Sequence, residues 1–297
     1  MPMDEKLKPS HRYAHVNNLR LHYVTAGEGP LVLLLHGFPE FWYSWRHQMP
    51  ALAERFRVVA PDMRGYNQSE KPVGVSHYRI QALMEDVAGL IREQGEGTAV
   101  VIAHDWGGGV AWPFAAYYPE MVERLVILNC PPPRVLMRHL LNNRAQLRRS
   151  YYMFLFQIPL LPEMALRAHD YALIERAFRG WAIDKSAFSD HDIAMFKAAA
   201  AKPGALTGGI NYYRAAFRSF LRERTADSAG GPKVKCPTLV IWAEEDRALG
   251  KEMTYDFHQE VEGPLEIKYI PHCSHWVQQE RPEEVNAYIM DFLRDLR

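Results

Sequence analysis

AVVIAHDWGG, residues Ala99 to Gly108, is the stretch on which the fold turns. Ala99–Ala103 reads as a strand with no polar alternation, which suits a sheet covered on both faces. A sharp turn through His104 and Asp105 follows, and helical spacing takes over across Gly108–Tyr117. Strand, tight turn with one reactive residue, then helix is the geometry that lifts a nucleophile clear of its surroundings. Ala103 and Gly107, two residues either side of Asp105, are small enough to let strand and helix close on each other. The turn aims the helix's amino end at the site, where unpaired N–H groups favour negative charge. An Asp before a helix is ordinarily just an N-cap, so this motif needs company.

The flanking sequence supplies it. Leu31–Leu35, Arg57–Ala60 and Leu125–Leu128 are further apolar runs of strand length, with helical stretches at Trp45–Ala53 and Ile80–Gln94 between them. Strands resume at Thr238–Ala243 and Leu265–Ile270, and Pro282–Leu296 reads as an amphipathic helix with Pro in its first turn. This alternation predicts an α/β fold with a mostly parallel, doubly wound sheet. Pro131-Pro132-Pro133 and Gly230-Gly231-Pro232 bracket about a hundred residues rich in aromatics, helical in pattern and without an obvious strand. The simplest organisation is a core of residues 1–130 and 233–297 with a helical insertion, 131–232, set on it. An independent second domain is the alternative, and the return of strands favours insertion.

Composition bounds the function. The 297 residues are 48% hydrophobic and 24% charged, an ordinary globular profile. Thirty-five basic side chains balance thirty-five acidic ones, so nothing pulls the whole chain toward nucleic acid or a membrane, although a local patch stays open. No run has the roughly 18 apolar residues of a spanning helix, and the start, MPMDEKLKPSHR, lacks a signal peptide's apolar core. Three scattered cysteines make neither a disulfide framework nor a thiolate metal site. A soluble cytoplasmic protein is expected, without cofactor, metal, nucleic-acid or membrane partner.

Three further segments converge on Asp105. His36-Gly37-Phe38-Pro39 follows the first buried strand, where a backbone N–H supplies one half of an oxyanion hole in this geometry. The N–H groups of Phe38 and Trp106 are the expected donors. His36 and the loop Asp62–Gly65 read as structural. Late in the chain, Asp246 and His275 each follow a strand, giving the order nucleophile, acid, His. Asp246 would orient His275, and His275 would activate water. His272 lies three residues before His275, but no third ligand matches them as a metal site. A carboxylate nucleophile gives an anhydride from an ester, whereas from a saturated carbon it gives an alkyl ester that water cleaves. Asp105 therefore points to epoxide opening or carbon–halogen cleavage. An epoxide's alkoxide needs a proton donor, and the insertion carries tyrosines near both ends, in Tyr151-Tyr152 and Tyr212-Tyr213.

HGFPE (His36–Glu40), HDWGG (His104–Gly108) and the tail pairs His275-Trp276 and Arg281-Pro282 together resemble the α/β-hydrolase-fold epoxide hydrolases of the soluble type, over nearly the whole chain. The resemblance implies Asp105 as nucleophile, Asp246 and His275 as its acid–base pair, and Tyr152 and Tyr213 as lid acids. The neighbouring Tyr151 and Tyr212 stay open as alternatives for those two. Phe38, Trp106 and Phe156 would bind the substrate, and the insertion, with Phe154, Phe156, Leu160, Leu161, Phe217 and Phe220, suggests an apolar pocket for a lipophilic epoxide; a homodimer stays open. Asn67 stands where relatives usually have Gly, and Asn tolerates the left-handed backbone such a turn needs. Haloalkane dehalogenases share the Asp-Trp pair but place Asn or Glu after His-Gly. Fluoroacetate-type dehalogenases carry Arg after the nucleophile. Both comparisons favour an epoxide. A dehalogenase with the same nucleophile, or an idle small-ligand receptor on this fold, remain the alternatives; the intact Asp105, Asp246 and His275 set argues against the receptor.

Overall fold

A computed structural model describes residues 7–223 and 231–296. Eight strands form one sheet: β1 (Ser10–Val16), β2 (Leu19–Ala26), β3 (Leu31–Leu35), β4 (Arg57–Pro61), β5 (Ala99–His104), β6 (Val122–Leu128), β7 (Thr238–Ala243) and β8 (Leu265–Ile270). Their order is β1-β2-β4-β3-β5-β6-β7-β8. β1 and β2 pair antiparallel, as do β2 and β4, and every other neighbour is parallel. The order reverses around β3, so β3 and β5 lie side by side at the switch point, where ligands of such sheets bind.

The unbroken apolar runs are explained by burial on two faces. Leu31, Leu33, Leu35, Val101 and Ile127 join a cluster with α2 (Ile80–Glu93) and α3 (Trp106–Tyr117). Their alternate neighbours Val32, Leu34, Val100, Ile102 and Val126 pack against α1 (Gln48–Ala53) on the other face, together with Val285 and Ile289.

Between β6 and β7 the described residues form six α-helices and no strand: α4 (Pro133–Asn142), α5 (Arg144–Arg149), α6 (Tyr151–Leu155), α7 (Leu161–Glu175), α8 (Asp190–Ala201) and α9 (Ala205–Glu223), with a π-helical turn (Arg176–Gly180) and a 3-10 turn (Lys185–Ala187) between α7 and α8. Phe178, Phe196, Ile193 and Leu206 from this layer share a core with Phe41 and Trp276. The layer therefore sits over the loops that carry HGFPE and His275. The short α10 (Val277–Glu280) and then α11 (Pro282–Phe292) close the chain.

Three helices differ from their expected extents by more than one residue, the first being α3, which begins at Trp106 rather than Gly108. The stretch Trp45–Ala53 is split into a 3-10 turn, Trp42–Trp45, and α1. Pro50 lacks an N–H and its ring opposes the carbonyl four residues back, so it sits best in a helix's first turn, where α1 has it. The last helix ends at Phe292 rather than Leu296, in a turn whose Leu293 stays buried. No helix among the described residues is long and apolar enough to cross a membrane.

Candidate active site

Asp105 occupies the turn between β5 and α3 with φ 48° and ψ −121°, a backbone region costly for a side chain larger than glycine's. Two glycines make room for it. A Cβ on Gly107 would lie 2.1 Å from the Leu35 carbonyl oxygen, and one on Gly37 would lie 2.4 Å from Asp105 Oδ1. The HGFP loop thus approaches the carboxylate closely enough for the Phe38 N–H to donate to Oδ1 at 2.8 Å. Trp106 is the first residue of α3, where N–H groups have no acceptor within the helix. Burial works against an Asp105 anion, but the hydrogen bond and charge of His275, the His104 ring and the Phe38 N–H outweigh it. Its carboxyl lies below the ordinary range.

His275 bridges two carboxylates. Its Nδ1 meets Asp246 Oδ2 at 2.7 Å, and its Nε2 lies 3.6 Å from Asp105 Oδ2. Burial alone would drive off its proton, but Asp246 and Asp105 together raise its pKa well above the usual histidine value. Asp246 is fixed by four donors: His275 and Asn129 Nδ2 on Oδ2, and the Ala248 and Leu249 N–H groups on Oδ1. Burial opposes its ionisation too, and is overcome first by His275 and then by these hydrogen bonds, so its pKa is lowered. The three residues expected from chain order do meet in space.

The helical layer brings the tyrosines to the same place. Tyr213 on α9 packs edge-on against Trp106, Phe156 and Phe38, with ring centroids 4.9, 5.0 and 5.7 Å away. Tyr152 on α6 faces it at 5.9 Å. Burial comes first among the causes that push both phenols up, and the Asp105 charge adds to it at each. Both therefore remain protonated donors beside the carboxylate. The neighbours point elsewhere: Tyr151 is largely exposed, and the Tyr212 hydroxyl donates to the Arg64 carbonyl at 2.8 Å. Phe38 and Phe156 meet at 5.6 Å and complete an aromatic wall.

Several supporting residues escaped the sequence reading. Glu40 and His104 are buried beneath the site, 2.8 Å apart. Glu40 also accepts from the Gly37 N–H and from the side-chain amides of Gln278 and Gln279. The other His104 nitrogen meets the His275 carbonyl oxygen at 2.8 Å. Through these two contacts the His104 ring ties the HGFP loop, by way of Glu40, to the backbone of His275. Burial opposes ionisation of Glu40, but His104 and the Gly37 N–H hold its pKa down. Arg214, next to Tyr213, grips Glu163 at 2.7 and 3.2 Å and donates to the carbonyls of Phe156 and Ile158. That clamp fixes the spacing of the segments carrying the two phenols. HGFPE and HDWGG contain Glu40 and His104, so adjacency to Phe38 and Asp105 was the only available signal.

The residues read as structural behave so. His36 is buried and accepts from the Met63 N–H; Arg64 pairs with Asp86 at 2.6 Å, and Asp62 with His22 at 2.6 Å. Asn67 has φ 35° and donates to Asp62. Among the described residues, no group of three or more His, Cys, Asp or Glu is arranged to hold a metal.

Comparison with known proteins agrees with this geometry. The family described as alpha/beta hydrolase fold matches residues 30–282. This chain belongs to that family, and within it to the epoxide hydrolases. It is 40% identical to Epoxide hydrolase 3 of Mus musculus over 283 residues, covering 94% of this chain and 75% of that one. It is 41% identical to Epoxide hydrolase 1 of Caenorhabditis elegans over 288 residues, covering 95% and 70%. The crystal structure of Epoxide Hydrolase A from Mycobacterium thermoresistibile superposes with a TM-score of 0.85 at 32% identity, covering 98% and 99%.

Proposed function

We propose that this epoxide hydrolase opens a lipophilic epoxide by attack of Asp105 and releases a vicinal diol through an alkyl-enzyme ester. Residues 131–232 act as its cap. A carboxylate oxygen of Asp105 bonds to an epoxide carbon while the ring C–O bond breaks, and Tyr152 and Tyr213 hydrogen-bond the departing oxygen. One phenol gives it a proton, a type of step that contributes roughly 10²–10⁴-fold. Ester formation removes the Asp105 charge and with it part of what keeps His275 protonated. The released proton restores the phenol and leaves His275 neutral. His275, held by Asp246, then takes a proton from water, and the hydroxide adds to the Asp105 carbonyl carbon. The Phe38 and Trp106 N–H groups hold the oxyanion, each worth roughly 10²–10³-fold. Collapse breaks the ester bond, the diol oxygen takes up the remaining water proton from the carboxyl group, and Asp105 returns to its anion.

The observation that carries this reading is the meeting of Asp105 with His275, itself held by Asp246, next to the ring cluster of Trp106, Tyr213 and Tyr152. A halide leaves without a proton and needs no such pair, which favours an epoxide over a haloalkane. A receptor needs no water-activating Asp–His pair.

His275→Gln tests the proposal. Incubated with separate panels of epoxides and haloalkanes, the variant stalls after the first half-reaction, and intact and peptide masses read the adduct. A gain equal to a whole epoxide on the peptide containing Asp105 supports the reading. An alkyl gain with halide release moves the assignment to a dehalogenase. No adduct from either panel counts against Asp105 as nucleophile.

A further inference from the structure

The backbone from Arg144 to Ile158 is a nearly continuous helical path across α5 and α6. N–H groups of Leu147, Ser150, Met153, Phe156 and Ile158 bond to carbonyls three or four residues back. Side chains three or four apart share a face on such a path. Over α5 its inward face is polar: Gln146 and Ser150 are buried, and Gln146 bonds both the Ala248 carbonyl and the Gly250 N–H. Its outward face is apolar, with Leu147, Tyr151, Phe154, Leu155 and Ile158 all exposed. An ordinary surface helix turns charged and polar side chains outward instead. The turn beyond continues the patch with Leu160, Leu161 and Met164, so that the exposed apolar side chains between Tyr151 and Met164 range from 41% at Ile158 to 72% at Leu160. A contiguous exposed apolar surface of this kind marks an interaction site.

Charge identifies the occupant. From Leu125 to Pro162 the chain has five arginines and no Asp or Glu. Arg134, Arg138 and Arg149 pair with Glu260 and Glu252 of the core. Arg144 and Arg148, exposed on the same path as the apolar face, have no ion-pair partner among the described residues. A second copy docked by this face about a two-fold axis would lay these unpaired arginines on the apolar end of its partner's path, where no carboxylate answers them, which is unfavourable. An anionic lipid surface accepts both parts at once, apolar side chains at the acyl boundary and guanidinium groups among the headgroups.

We propose that the α5–α6 path and the turn into α7 form an interfacial docking surface for anionic bilayers. The neutral net charge of the chain conceals it because the basic patch is local. The same segment carries Tyr152 and Phe156 on its inner side, so a substrate dissolved in the bilayer would meet the enzyme beside its aromatic wall.

Co-sedimentation with vesicles tests this independently of the catalytic mechanism, since binding needs no turnover. The full-length protein is mixed with vesicles of phosphatidylcholine alone, or of phosphatidylcholine and phosphatidylglycerol at about 3:1. Binding to the anionic vesicles is expected, weakening with salt. Each arginine near such a surface is worth about five-fold in partition, so Arg144→Gln with Arg148→Gln should weaken binding about 30-fold. Leu155→Ser with Leu161→Ser should weaken it at least about ten-fold. Both variants should turn over a water-soluble epoxide at the wild-type rate, which confirms folding. Absence of vesicle binding by the wild type overturns the proposal. So does sedimentation showing a dimer that the leucine variant dissociates, with no preference for anionic vesicles.

Discussion

Asp246→Asn separates the two half-reactions most sharply. In the folded protein Asp246 Oδ2 accepts from His275 and Asn129, and Oδ1 accepts from the Ala248 and Leu249 N–H groups. An asparagine has one acceptor oxygen and one donor nitrogen. The two backbone N–H groups cannot move away, so they take the oxygen and leave the amide nitrogen facing His275. The imidazole must then accept at Nδ1 and carry its proton on Nε2, the nitrogen that would otherwise receive water's proton. The lost attraction is also large. Two unit charges at the 2.7 Å seen here interact by about 6 kcal/mol at an effective dielectric of about 20. A 10⁴-fold loss corresponds to about 5.4 kcal/mol, and removing the carboxylate from an Asp–His pair costs about that factor through the wrong tautomer. Asp105 keeps its Phe38 N–H and both phenols, so ring opening should stay within about ten-fold of wild type. Rapid quench during one turnover, followed by intact mass, should show the ester forming at a near-normal rate and persisting about 10⁴-fold longer. Ester breakdown slowed by less than ten-fold, or both steps slowed equally, would refute the reasoning.

Three other outcomes follow from the same geometry. Tyr152→Phe combined with Tyr213→Phe should slow ring opening by at least about 10²-fold while ester hydrolysis changes little; pre-steady-state measurement of both steps checks this. Gly37→Ala puts a methyl where Asp105 Oδ1 now sits, at 2.4 Å, so the loop must retreat and both steps should fall by about 100-fold in single-turnover assays. The raised His275 pKa makes its protonated form a stabilising element below the unfolded value of about 6.5, lost as pH rises through the folded value. The melting-temperature advantage of wild type over His275→Gln should therefore shrink as pH is raised. In an Asp105→Asn background that shrinkage should begin at lower pH, because one of the two raising carboxylates is gone.

How much of the fold could be read beforehand depended on burial. β3, β4, β5, β6 and β7 are buried on both faces, so each announced itself as an apolar run. The hairpin of β1 and β2 did not. β1 is an edge strand with polar residues at most positions, and only its last residues turn inward. Its signal was of another kind: Asn17-Asn18, at φ 50° and 59°, is the two-residue turn of a tight hairpin, with alternation in the Leu19–Ala26 strand that follows. A search for continuous apolar runs passes over that pattern. The limits of the helical layer were visible because Pro131-Pro132-Pro133 interrupts the chain. The Gly230-Gly231-Pro232 break falls partly outside the described residues.

The site was legible where one residue type has one chemical use. An Asp at the elbow, followed by Asp246 and His275 in that order, could be found by chemistry and chain order alone. Tyr152 against Tyr151, and Tyr213 against Tyr212, could not be separated, because adjacent residues on a helix differ only in direction, and direction comes from packing. Asn129, Glu40 and His104 were invisible for a deeper reason. Each is an ordinary polar residue whose significance lies in the number of donors or acceptors that meet it, and those come from distant parts of the chain. They also show how one site can need its groups in opposite states. Attack requires Asp105 ionised, and His275, the His104 ring nearby and the Phe38 N–H hold it so. Hydrolysis requires a neutral His275, yet the Asp105 anion is one of the groups that keeps His275 protonated. Under the proposed mechanism the conflict resolves itself, because the bond that consumes the nucleophile also removes the charge that disabled the base. Under that mechanism the switch from nucleophile to base lies in the electrostatics of Asp105, His275 and Asp246.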